Sequence, residues 1–421
     1  MTYRQVNRLF TFACFATAPV LGSVVSFIWH GGALWCGFEV VSGRRRFSPD
    51  RPLRVLTALM LVYVAANVVA FLANGPSAAA AVKLLPFATF LLFPFSYSVW
   101  TISDRQEVAQ AAVWGSAVAA CGALVLALIQ HHLIGMRAEG GAGNALVFAD
   151  VACLAGLVCL AGALTIERAR DKAPVLMVAY AAAFLAVLYS QSRSVWGVMI
   201  GATVVVLFLC RTRLKDVLEG RMLGVLLAVL AVGILASGIV VSRMELLGEE
   251  LYELAGSGDY STSSGLRVAL WEIGAKLIAG DLLIGHGVQN TAALIGEHLG
   301  ADYGVGRSFS HFHNGFITAF VEGGVLSGGA VIGIFATILV IALRTLQDNE
   351  EPTARFGALI LVALFCVYVV GGSVNLIFGH DILDSVFMIF LITGVYLAAG
   401  SSALAAGGSP ADDAAGGQTR P

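Results

Sequence analysis

Apolar runs of membrane-spanning length alternate with short polar breaks along nearly the whole chain. About 20 apolar residues suffice for one helical crossing. On that measure the pattern predicts about twelve spans: 5–22, 24–41, 53–73, 82–101, 107–132, 146–166, 174–191, 194–210, 222–242, 314–344, 355–376 and 382–399. The first two are short and share a tight turn. A membrane barrel would show short alternating segments instead, so the expected fold is an all-α polytopic membrane protein. One long polar stretch, 243–313, interrupts the series between spans nine and ten. The tail from Ser401 is rich in Gly, Ala and Asp and carries Pro410 and Pro421, a composition expected to be disordered. The chain thus divides into spans one to nine (1–242), a large loop with helices (243–313), spans ten to twelve (314–400) and a tail (401–421).

Within the loop, 244–254 (MELLGEELYEL) alternates apolar and acidic positions at helical spacing and is expected along the membrane interface. The loop's acidic residues read as solvated helix faces. Ser261 to Ser264 offer N-caps for a helix over about 265–279, ended by Gly280 and the turn-rich GHGVQN (285–290). At 302–329, DYGVGRSFSHFHNGFITAFVEGGVLSGG, a polar segment with two histidines and an arginine runs into a long apolar one. A pocket at that junction would meet both lipid and water.

Composition and charge sharpen this picture. Charged residues are 12% of the chain, against roughly 25% in soluble domains. The seven cysteines all fall in apolar runs, so the loop holds no disulfide framework and no cysteine metal site. The first apolar stretch leads straight into a second without a cleavage region, so it is expected to stay attached as a span. Placing the N-terminus in the cytoplasm puts 18 of the 25 Lys and Arg residues inside, as the positive-inside rule requires. The tail and both termini are then cytoplasmic and the loop faces outward. Lys83, Arg137, Arg193, Arg243, Arg267, Lys276 and Arg307 are the outer cations.

Among these, Arg193 ends span seven in SQSRSVW (190–196), amid serines and a glutamine; it either snorkels to headgroups or marks a functional cavity. The same two readings apply to Lys83, one turn into span four. Arg267 and Trp271 lie at i and i+4 on the loop helix, which permits a plain structural stack. His311 and His313 would share a side of an extended segment. No HExxH or CxxC pattern accompanies them, and no metal is expected. Asn314 suits a helix cap, which leaves His313 available as a base near neutral pH. His380, Asp381 and Asp384 read either as a polar turn or as groups that orient a histidine or an acceptor hydroxyl. Lys83, Arg193 and Arg267 together would suit a lipid pyrophosphate, because the arginine fork matches phosphate oxygens.

Three stretches resemble the O-antigen ligase and O-antigen polymerase family: SQSRSVW (190–196), SSGLRVALWEIGAKLIAGDLLIGHGVQN (263–290) and HFHNGFITAFVEGGVLSGG (311–329). The last departs from the family pattern in having Ser327 before Gly328. The resemblance implies a GT-C-like, metal-independent, inverting glycosyltransferase that uses a lipid donor and no cofactor. Ligases of this family move O-antigen from undecaprenyl pyrophosphate to the lipid A core, on the periplasmic face of the inner membrane. By this resemblance His313 matches the essential histidine, and Arg193 and Arg267 match the essential arginines. Lys83 is an addition to the donor site from its charge and place. His311, Asn314, Trp271 and Asp381 are supporting residues. The ligase is preferred for the compact chain with one dominant outer loop. The polymerase and the protein O-oligosaccharyltransferase of the same family are alternatives. A transporter of anions or lipid-linked sugars is a rival from another class, though no repeated halves are visible. The bilayer is the expected partner beside the two substrates, and no nucleic acid is.

Overall fold

The computed structural model describes residues 3–101, 103–166, 172–211, 237–257 and 260–400. Most of the predicted ninth span (222–236), the cations Arg168, Arg170, Arg213, Lys215 and Arg221, and the tail from 401 lie outside the described residues. Within them the chain is helical, without strands. Eight helices are long and apolar enough to cross a membrane. These are α2 (Val24–Val41), α3 (Arg51–Ala73), α4 (Ala80–Trp100), α5 (Arg105–Ile134), α6 (Ala145–Thr165), α12 (Gly315–Asp348), α13 (Pro352–Gly371) and α14 (Asp381–Ala399). Two apolar helices are shorter, α7 (Ala173–Tyr189) and α8 (Arg193–Leu209). The chain opens with α1 (Tyr3–Leu21). The outer loop contributes α9 (Ser237–Ser257), α10 (Ser263–Gly280) and α11 (Thr291–Tyr303). The protein is an all-helical, multi-pass membrane protein.

Burial sorts the spans. Helices α6 and α14 are enclosed on all sides, whereas α2, α3 and α4 leave most of their length uncovered. Lipid tails are as apolar as leucine, so helices associate through close packing of small residues. Helix α5 does this with Ala109, Ala112, Ala119, Ala120 and Ala123, all fully buried, while Val118 and Val125 face outward. Gly162 of α6 leaves room for Val113 of α5, and Gly156 for Ala183 of α7. The buried amide nitrogen of Asn67 on α3 donates to Ser327 on α12 at 3.0 Å and to the Tyr63 carbonyl at 2.8 Å, where the two helices pack.

The loop has a core of its own. Leu266, Ala269, Leu270, Ile273 and Leu277 of α10 pack with Ile295 and Leu299 of α11, and with Phe312 and Val321. Thr262 caps α10 by accepting from the Gly265 amide at 3.1 Å, close to the expected start. Helix α9 is described from Ser237 to Ser257, so its described part overlaps the end of the stretch read as span nine.

The predicted tenth span is not a straight helix. Helix α12 breaks at Gly323 and Gly324, the latter at φ +66° and ψ −163°, a conformation open essentially to glycine alone. The 282–287 turn docks into the break. His286 and Gly287 amides donate to the Val321 and Glu322 carbonyls at 2.7 and 3.0 Å, and the Val325 amide donates to Leu282 at 2.7 Å. The same turn closes the end of α3: Asn74 donates to the Gly285 carbonyl at 2.9 Å, and Gln289 to the Phe71 and Asn74 carbonyls. Carbonyls orphaned at a helix end and at a helix break thereby gain partners.

Candidate functional site

The site is built where the loop core meets the start of α12. Phe312 is fully buried in that core, so its neighbours His311 and His313 both point the other way. Their rings meet edge to face with centroids 4.5 Å apart. His313 sits at φ +47°, the left-handed region that a histidine seldom adopts. Two contacts hold it there. The Trp271 indole donates to its carbonyl at 3.3 Å, and Asn314 caps α12 by accepting from the Phe316 and Ile317 amides. The His313 Nδ1 and His311 Nε2 atoms are buried without a hydrogen-bond partner among the described residues. Burial, helped by His311 and the Arg267 charge, pushes His313 down to about 4, so its ring is neutral near pH 7 and able to take a proton. Burial and His380 likewise lower His311.

Arg267, whose charge reaches His313, lines an open cavity of about 440 Å³ together with Arg137, Arg193, Arg243, Glu139 and Glu250; neither histidine lines it. Four arginines against two carboxylates leave it positive. Three of the four guanidinium groups are held by neighbours. Arg193 Nη2 donates to both oxygens of Glu250 at 3.0 and 3.2 Å, and Arg193 Nη1 to the Arg243 carbonyl at 3.1 Å. Arg137 donates to Ser190 and Ser192, and Arg243 to the Gln191 side chain. Gln191 has φ +57°; with His313 it is one of two non-glycine residues at positive φ among the described residues, and both are at this site. Strain of this kind concentrates at functional sites. Burial and Arg193 lower Arg267, and Glu250 partly offsets them. Burial would raise Glu250, but the Ser264 hydroxyl at 2.6 Å and the Arg193 charge outweigh it and hold the carboxylate below its ordinary range.

Residues 178–328 match the family model described as O-antigen ligase. That stretch belongs to the O-antigen ligase family. No curated protein matches the chain. The O-antigen ligase stretch runs from within α7 to the break in α12. It contains Arg193, Glu250, Arg267, Trp271, His311, His313 and Asn314, and leaves Lys83 and Asp381 outside.

The geometry brings Arg193 and Arg267 to one cavity and sets His313 near Arg267. It does not bring Lys83 there. Lys83 lines another cavity, with His311, and its ammonium donates to the Gln289 carbonyl at 3.1 Å. The structure thus places Lys83 in a different cavity from Arg193 and Arg267, against the 282–290 turn. Asp381 pairs with His380 at 3.3 Å and not with His313. Trp271 serves the His313 carbonyl, a role that i, i+4 spacing to Arg267 does not reveal. Glu250 was read as a solvated acid. The alternation of 244–254 cannot show that one of its carboxylates turns inward onto an arginine 57 residues earlier. Among the described residues, no three His, Cys, Asp or Glu side chains are grouped as metal ligands would be.

Proposed function

We propose that the protein is an inverting glycosyltransferase that moves O-antigen from undecaprenyl pyrophosphate to the lipid A core, with about twelve spans, a GT-C-like fold and a periplasmic site in the bacterial inner membrane. The observation that carries the reading is the meeting of Arg193 and Arg267 in one positively charged cavity, with His313, whose Nδ1 is buried without a partner among the described residues, close enough to feel the Arg267 charge. His313 takes the proton from the acceptor hydroxyl as its oxygen attacks the anomeric carbon. The bond from that carbon to the pyrophosphate breaks on the opposite face, so configuration inverts. The electron pair goes to the pyrophosphate, where Arg193 and Arg267 stabilise the growing charge. The donor is already activated, so no nucleotide and no cofactor is required.

The test uses purified full-length protein, lipid-linked O-antigen and O-antigen-free lipopolysaccharide, without ATP and with a chelator present. Transfer is expected. His313→Ala should bind donor normally and lose at least the roughly 10²–10⁴-fold that a general base supplies. Transfer that survives removal of His313 would sink the mechanism. Loss of donor binding alone would move His313 into the pyrophosphate site.

A further inference from the structure

We propose that the cavity on the far side of the histidine pair, between α3, α4, α11 and the break in α12, seats the terminal sugar ring of the acceptor. The inference rests on the transfer reading above and adds to it where the second substrate lies. This cavity, about 240 Å³, has an aromatic wall of Tyr63, Phe87 and Phe378, with Lys83, Glu322 and His311 as its charged and polar groups. Apolar walls with a few convergent polar groups are the usual lining of a small-molecule site. Here the rings offer faces to the C–H side of a sugar, and the polar groups offer partners to its hydroxyls. The volume suits one ring and excludes a stretch of polymer.

The two cavities differ in charge. Four arginines against two carboxylates suit a pyrophosphate. The second cavity carries one lysine and one glutamate among mostly apolar walls, a lining that suits a polyol. Glu322 accepts the Thr291 hydroxyl on one oxygen at 3.2 Å, and Lys83 uses one of its three donors on Gln289. Neither group is consumed by its protein partner. The position matters as much as the lining. His311 lines this cavity, its ring touches His313, and His313 in turn feels the charge of Arg267 in the first cavity. A ring seated here presents a hydroxyl at the histidines, with the donor across them. The break at Gly323 and Gly324 and the docked turn hold Glu322 in place from both sides of the chain.

Two variants test this. Glu322→Gln replaces the carboxyl with an amide and keeps the shape. Ala292→Phe, at the first turn of α11, fills the cavity from its wall. Binding of O-antigen-free lipopolysaccharide to the detergent-purified full chain is measured without donor, and binding of geranylgeranyl pyrophosphate is measured in parallel. Both variants should weaken lipopolysaccharide binding about tenfold, the worth of one charge-assisted hydrogen bond or more, and leave the prenyl pyrophosphate unaffected. Should Glu322→Gln fail to accumulate, Ala292→Phe carries the test alone. A fall in prenyl pyrophosphate binding would assign the cavity to the donor's lipid and overturn the proposal. So would unchanged lipopolysaccharide binding, or none by the unaltered protein. Because no transfer is needed for the readout, a wild-type protein that binds acceptor here but transfers nothing would count against the reaction and for the site.

Discussion

At the scale of single residues, the environment of His313 has a kinetic signature. Its depressed proton affinity keeps the ring neutral down to about pH 4 in the free protein. The acid limb of kcat/KM for the donor should therefore lie well below the ordinary histidine value, near 4. A bound pyrophosphate would cancel part of the Arg267 charge, and the limb of kcat should then move to higher pH, since that profile reports the complex. Two coincident limbs near 6.5 would show that His313 is not the titrating base. Glu250 gives a second residue-level prediction. Its two carboxylate oxygens accept from Arg193 Nη2, so on the proposed reading it would compete with a pyrophosphate for that guanidinium. Glu250→Gln should tighten inorganic pyrophosphate binding roughly two- to fivefold, the range of a partly exposed ion pair. Weaker binding would mean that Glu250 orients Arg193 for the ligand and does not compete with it.

At the scale of elements, the site depends on a lock between the 282–287 turn and the broken helix α12. Gly285 lies at φ +77°, and a Cβ there would come 2.6 Å from the Gly324 amide nitrogen. At Gly324 a Cβ would overlap the Leu283 carbonyl. Gly285→Ala should thus loosen the lock at a cost of about 1–3 kcal/mol. The expected outcome is a protein that inserts normally, unfolds at lower temperature and loses most transfer, because Glu322 is held by this joint and the histidines precede the same helix. Gly296→Ala, at a position with open space around it, is the control. Equal thermal stability and activity in both would show the lock to be dispensable.

Across the whole molecule, the distribution of cations predicts which side of the membrane the site faces. Tyr252 on α9 is 81% exposed. A cysteine placed there should react with an impermeant maleimide in intact cells whose outer membrane has been opened. Reaction only after the inner membrane is broken would invert the topology. The long helices, their apolar lengths and the separate loop were all readable from the run of hydrophobic positions, since a span must be apolar wherever it meets lipid. The caps at Thr262 and Asn314 were readable too, because capping is a matter of local side-chain chemistry.

What the sequence determined by itself is local or periodic: spans, caps, and motifs at 190–196, 263–290 and 311–329 that resemble one family. What only the tertiary structure decided is convergence. Arg137, Arg193, Arg243, Arg267 and Glu250 come from four separate elements, and no spacing along the chain encodes their meeting. The break at Gly323 and Gly324 looked like the middle of a span, because two glycines lower helix propensity without saying that a distant turn will fill the gap. Lys83 carried the right charge for the donor site and lies on the other side of the histidines. Charge is a property of the residue, whereas its partner is set by which helices pack, and helix packing in a membrane is chosen by small-residue fit among many apolar faces that look alike in sequence.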